Sequence, residues 1–341
     1  MNLVYYHPIA LKEKEVFHKT INPLISVMDR TSNHWPNFGY INMFPMPSVN
    51  SLCPDFMATS IARIKELTDH NMHVNVLWSG GIDSTFIFAL MIDLGIADEL
   101  YKQNRLTIGL NMDSIRENPN FYNKFIKSRF ISCAVQADTI IADPKPDQVI
   151  ITGEMADNLV GSLTMKSCVD HFNDFSTVHK PLQVAVDWLA RNLSPEEKPK
   201  LHEFLERQIS TSPVELITCH DLLWYLNFNL KWQAVNFRIV SHANNEAVGN
   251  QLIKNLKHFF NTDTFQQWSL QEGHYFKGNS WGEYKGIMKK FIYQVDSDLQ
   301  YFKYKTKHPS LPALLRYKDT FDFIYEDNGV YRFTKQPIQG Q

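Results

Sequence analysis

Seven consecutive residues, Ser79-Gly80-Gly81-Ile82-Asp83-Ser84-Thr85, combine two glycines, three hydroxyls and one carboxylate. That mixture suits the handling of a polyphosphate. Glycines at 80 and 81 remove Cβ atoms, so the backbone can turn tightly and approach phosphate oxygens. N–H groups at the start of a following helix would point at the anion, aided by the helix dipole. Ser79, Ser84 and Thr85 add hydroxyl donors, and Asp83 adds a carboxylate suited to holding Mg²⁺. No lysine follows the glycines, so this is not the GxxxxGK[ST] phosphate loop.

A second segment, Gly153-Glu154-Met155-Ala156-Asp157-Asn158-Leu159-Val160-Gly161, supplies two more carboxylates far along the chain. The two segments can act on one ligand only if the fold brings them together, and the intervening pattern predicts such a fold. Val74–Trp78 reads as a buried strand running into the first segment, and Ser84–Leu94 as an apolar helix stopped by Gly95. Phe56–Leu67 reads as a helix before them. Leu106–Leu110 is a further strand, Asn120–Val135 a helix, Thr139–Ile141 a short strand and Gln148–Thr152 a strand again. Strands alternating with helices imply a parallel sheet with helices on both faces. Ligands of such sheets collect beyond the carboxyl ends of the strands, where both segments would lie.

Residues 1–55 carry Pro36, Pro45, Pro47 and Pro54 among scattered aromatics and read as an irregular layer over a neighbour. The α/β core is expected over 56–165. From 166 to 341 the pattern is mostly helical, with helix starts expected at Ser194-Pro195-Glu196-Glu197 and Ser212-Pro213-Val214-Glu215.

The chain of 341 residues is 44% hydrophobic and 21% charged, with a net charge of −2, so no global charge favours nucleic acid. The longest apolar run, Phe86–Ile92, is too short to span a bilayer, and Met1–Pro8 is no secretory signal. Cys53, Cys133, Cys168 and Cys219 form no CxxC or zinc spacing, which is expected of reduced thiols in a cytoplasmic protein. The 13 histidines show no ligand spacing.

The first segment resembles the SGGxDS loop of the N-type ATP pyrophosphatases, and the second resembles the GExxDExxGG segment of asparagine synthetases and their lactam-forming relatives. The resemblance covers roughly residues 70–320, specific at the two motifs and loose elsewhere. It implies a Rossmann-like fold of the adenine nucleotide α-hydrolase type. It also implies an ATP-dependent, AMP- and pyrophosphate-forming ligase that adenylates a carboxylate and joins it to an amine.

By resemblance, ATP and pyrophosphate would be held by Ser79, Gly80, Gly81, Asp83, Ser84, Thr85 and Gly153, with adenine meeting the backbone of Leu77 and Leu110. Asp83 and Asp157 would share Mg²⁺, and Glu154 would line the nucleophile's approach. Asn158 stands where the family usually has Glu, which puts substrate identity in doubt more than ATP use. The stretch 285–318 holds eight Lys or Arg against two acids. In the family a lysine of a basic segment stabilises charge in the transition state, and Lys305 or Lys307 is the expected counterpart. A solvated basic face is the plainer alternative.

The aromatic stripe from Asp221 to Trp232 reads as core, with Lys231 needing a partner if buried. The family's glutaminase domain needs a cysteine at position 2, where this chain has Asn2, and only about 70 residues precede the loop. The amine is therefore expected to be free ammonia, a partner protein's product, or a group already on the substrate. Two other readings stay open: activation of a nucleobase or tRNA oxygen for amination or thiolation, and a non-catalytic nucleotide-binding scaffold.

Overall fold

The computed structural model describes residues 1–7, 28–31, 41–49, 52–161, 163–273, 278–306 and 321–338. Strands are numbered β1 (Asn2–Tyr6), β2 (His73–Leu77), β3 (Leu106–Leu110), β4 (Ala134–Gln136), β5 (Gln148–Thr152), β6 (Leu256–His258), β7 (Phe323–Asp327) and β8 (Val330–Thr334). β2, β3 and β5 are buried almost end to end, as strands covered on both faces must be. They form the middle of a five-stranded parallel sheet in the order β4-β3-β2-β5-β6.

From β2 the chain winds one way to β3 and β4, then returns to lay β5 and β6 on the other side. The order reverses between β2 and β5, which opens a crevice at their carboxyl ends. Both motif segments begin there.

The helix Ile82–Asp93 is buried without interruption from Ser84 to Met91, so it is apolar all round and sits inside the molecule. Phe86 and Phe88 are fully covered, each such burial stabilising by about 1.5–3 kcal/mol. Gly95 ends it in a left-handed conformation, φ +72°, and the chain re-enters a second helix, Ile96–Lys102.

Several expectations are corrected. Thr139–Ile141 belongs to a helix, Ala137–Ala142, which buries Ile140 and Ile141 behind the sheet; the strand is Ala134–Gln136 just before it. The helix expected over 120–135 is wound wide, π-type, from Tyr122 to Phe130 and tightens into a 3₁₀ turn, Ile131–Cys133. Ser194 and Glu197 do exchange reciprocal bonds, but the regular helix starts only at Lys198. Ser212 starts none: its hydroxyl closes a turn on Val214, and the next helix begins at Cys219 behind a Thr218–Asp221 capping box.

The C-terminal region also contributes strand β6 to the main sheet. Its last strands, β7 and β8, form a hairpin around Asn328-Gly329, both at positive φ, the geometry of a two-residue type I′ turn. β1 pairs antiparallel with β7, so the N-terminal segment is not merely irregular cover. Two apolar cores result, one on each face of the parallel sheet, and each draws residues from all three sequence regions. Among the described residues no helix is long and apolar enough to cross a membrane.

Candidate active site

β2 delivers the loop, and the loop's own hydroxyls set its shape. The Ser79 N–H donates to Ser84 Oγ at 3.0 Å, the two hydroxyls meet at 2.9 Å, and the Gly81 N–H donates to Ser79 Oγ at 3.3 Å. Gly80 sits at φ +74°, and a Cβ there would lie 2.2 Å from the Ser114 carbonyl oxygen. Only glycine fits. Gly81 caps the helix Ile82–Asp93 in an extended conformation and has no side chain to bond the first N–H groups, the groups that an anion at a helix start would use. Thr85 turns inward: its hydroxyl accepts from the Trp78 indole at 3.1 Å and is fully buried. It supports the loop from beneath.

The segment Ser114–Asn118 is the wall of this cup. Asn111 and Ser114 form a capping box for the helix Met112–Glu117, and this helix presents the Ser114 carbonyl and the Glu117 side chain to Gly80. Leu77 pairs in register with Gly109, so the backbones of Leu77 and Leu110 end side by side at the carboxyl edge.

β5 delivers the second segment. Gly153 presses on the loop helix, where a Cβ would fall 2.9 Å from the Ser84 nitrogen and 3.0 Å from Asp83 Cβ. Met155 holds a left-handed conformation, φ +76°, unusual for a side chain of its size, and starts the five-residue helix Ala156–Val160. That helix is too short to be stable alone. Side chains from the C-terminal region bond its carbonyls: Asn227 to Asp157 at 2.8 Å, Trp224 to Leu159 at 2.9 Å, Ser269 to Leu159 at 2.5 Å, and Tyr284 to Gly161 at 3.0 Å. The aromatic stripe is thus core with a second duty. Lys231 finds its partner in Thr164, at 2.9 Å.

The two segments meet at a lysine. Lys285 Nζ donates to both oxygens of Asp83, at 2.5 and 2.6 Å, and to Asp157 Oδ1 at 2.7 Å. Its side chain is 2% exposed, against 21% for Asp83 and 32% for Asp157. Burial alone would pull its pKa down; Asp157 and Asp83 overcome that and raise it, so the ammonium stays charged.

In this structure the lysine that meets the two motif segments is Lys285, at the start of the same basic stretch. Lys305 instead pairs with Glu117 in the loop's wall. Lys307 lies outside the described residues. Tyr301, one turn before Lys305, donates to the Gly80 carbonyl at 3.1 Å. The helices Gly286–Asp296 and Leu299–Tyr304 thus cover the loop from above.

Glu154 accepts an ion-pair hydrogen bond from Arg238 Nη2. The Glu154 N–H donates to Thr152 Oγ1 at 3.3 Å, which meets His258 Nδ1 at 2.6 Å. Burial lowers the His258 pKa and keeps that ring neutral. Asn158 is buried, and its Nδ2 has no hydrogen-bond partner among the described residues.

Asp83 and Asp157 point their oxygens at one common position and are hard donors, which fits Mg²⁺. Among the described residues no three His, Cys, Asp or Glu side chains cluster as a metal site, so phosphate oxygens and water would have to complete the coordination. Burial pushes the Cys168 thiol up to about 12 and those of Cys219 and Cys133 up to about 11, which favours the protonated form of these three. Compared with protein-family models and with curated proteins, the chain matches none.

Proposed function

We propose that the protein is an ATP-dependent ligase of the asparagine synthetase-like kind, with the fold of the N-type ATP pyrophosphatases. It would adenylate a small-molecule carboxylate, release pyrophosphate, and form an amide with free ammonia, a partner-supplied amine or an amine on the substrate. One observation carries the reading: Asp83 and Asp157, from separate loops at the sheet's reversal point, converge on the buried ammonium of Lys285.

The residues divide the work. Gly80 and Gly81 admit the triphosphate to the start of the loop helix, whose N–H groups bind its oxygens. Mg²⁺, held by Asp83 and Asp157, would neutralise charge on the departing pyrophosphate. Lys285 supplies a fixed positive charge in a largely water-free position, aimed where negative charge grows during displacement at the α-phosphorus. Gly153 keeps the second segment close enough to orient the carboxylate for attack, and positioning of this kind is the main source of rate.

Glu154, oriented by Arg238, lines the approach of the amine and can take its proton as the amide forms. AMP then leaves. Asn158 in place of a carboxylate alters the acid's pocket and leaves the phosphate machinery intact.

Exchange of labelled pyrophosphate into ATP, screened across a panel of carboxylic acids, tests this reading. Exchange that needs one acid and is abolished by Asp83→Ala in a folded variant is the expected result. Exchange stimulated only by nucleobases or RNA would move the reading to oxygen activation on a base. Nucleotide binding without exchange would leave only a scaffold, and no nucleotide binding at all would overturn the site itself.

A further inference from the structure

We propose that Lys285 bars a lone divalent cation from the site, so that metal enters only together with the nucleotide's phosphates. This rests on the proposed ATP site and concerns its order of assembly.

A lysine ammonium has three protons to donate. All three contacts from Lys285 Nζ go to the two carboxylates, at 2.5, 2.6 and 2.7 Å. Mg²⁺ would take the same carboxylates at about 2.0–2.1 Å, which sets its double charge against the buried ammonium only a few ångströms away.

The fold fixes the backbone from which this buried side chain extends. Its backbone is left-handed, φ 54° and ψ 35°, and its carbonyl accepts from the N–H groups of Met288 and Lys289, each at 3.1 Å. One turn on, the fully buried Lys289 donates to the carbonyls of Trp281 at 2.9 Å and Lys305 at 3.3 Å, pinning the turn before Lys285 to the end of the neighbouring helix. Gly282 packs there too, where a Cβ would meet the Lys303 carbonyl at 2.7 Å.

A cation arriving alone would take the carboxylates and strand a buried, charged ammonium without its anions, which is costly. A triphosphate removes the conflict, because its oxygens receive Lys285 while the carboxylates turn to the metal. It also supplies the coordinating oxygens that two carboxylates lack.

Mn²⁺ serves as the probe, its uptake by the full chain followed by equilibrium dialysis, the protein-free chamber correcting for the complex that Mn²⁺ forms with nucleotide in solution. The wild type should take up no Mn²⁺ alone below the millimolar range, yet bind it with the non-hydrolysable analogue α,β-methylene-ATP. Lys285→Met should tighten Mn²⁺ binding without nucleotide by roughly 100-fold, while Lys285→Arg keeps the cation out. Micromolar binding of Mn²⁺ alone by the wild type overturns the proposal whether or not the variants fold, as does equal Mn²⁺ affinity in wild type and Lys285→Met. In both cases intact binding of Mn²⁺ with the analogue would leave the ATP site standing. Failure of the wild type to bind Mn²⁺ with the analogue would remove the ATP site and this inference with it.

Discussion

Gly80 and Gly95 are a matched pair for measuring how tightly the loop is built. Both are left-handed, at φ +74° and +72°. A Cβ at 95 meets nothing within 4 Å, whereas one at 80 falls 2.2 Å from a backbone oxygen and 2.8 Å from Glu117 Cβ. Alanine at either site costs about 1 kcal/mol for the backbone conformation alone. At 80 the clash is with main chain, so no side-chain rotation relieves it. The loop and the helix Met112–Glu117 must separate, which strains packing by about 1–3 kcal/mol and breaks the Tyr301 bond to the Gly80 carbonyl, worth about 1 kcal/mol.

Gly80→Ala should therefore destabilise by about 3–5 kcal/mol and Gly95→Ala by about 1 kcal/mol. Urea melts of both variants, fitted with a common slope, read the difference directly. Nucleotide binding should weaken for Gly80→Ala and not for Gly95→Ala. Equal destabilisation of the two variants would refute the contact with Ser114 and the cup built on it.

Other consequences are open to measurement. Burial, with Arg238 and His7 nearby, lowers the His242 pKa from 6.5 to about 4. A histidine depressed on folding contributes stability that is present above its unfolded pKa and lost as pH falls towards the folded value. His242→Gln should thus flatten the loss of stability between pH 6.5 and 4 by about 2 kcal/mol, allowing for partial exposure, as read by urea melts across that window. Arg30 is buried, bonds the carbonyls of Phe44, Pro45 and Phe228 and the amide of Gln266, and lies 4.6 Å above the Trp232 ring. Arg30→Met should cost about 3–5 kcal/mol in denaturant unfolding, and Arg30→Lys should recover little of it because lysine cannot reproduce the planar fork. In pyrophosphate exchange, Lys285→Ala should lower the rate by roughly 100- to 1,000-fold, and Lys305→Ala, acting only through Glu117, by less than about 10-fold; the reverse order would restore Lys305 to the chemistry.

The loop was legible because it needs a local conjunction: an apolar strand, two glycines, hydroxyls and a helix. Asp157 was legible for the same reason, since it follows the apolar strand Gln148–Thr152. Lys285 was not. A run such as Lys303-Tyr304-Lys305-Thr306-Lys307 stands out by charge density, yet density is what a solvated face also shows. The lysine that joins the two carboxylates is single, buried and set by a left-handed turn between Tyr284 and Gly286, which no periodicity announces.

β6 escaped because Leu256-Lys257-His258 is three residues long, and only its pairing with β5 makes it a strand. β1 escaped because its partner, β7, lies at the far end of the chain. The hairpin at Asn328-Gly329 did carry a local signal, an Asn-Gly pair between two β-type runs, which the helical reading of the region passed over. Thr139–Ile141 misled because β-branched residues pack as well on the buried side of a short helix as in a strand.

On the proposed function, Asp83 and Asp157 act as one unit on a metal-bound triphosphate. Calorimetric titration of magnesium α,β-methylene-ATP into the wild type, Asp83→Ala, Asp157→Ala and the double variant tests it most directly. The wild type should bind, each single variant should lose roughly 100-fold or more, and the double variant should lose no more. Losses that add independently, or a wild type that does not bind the nucleotide, would contradict it.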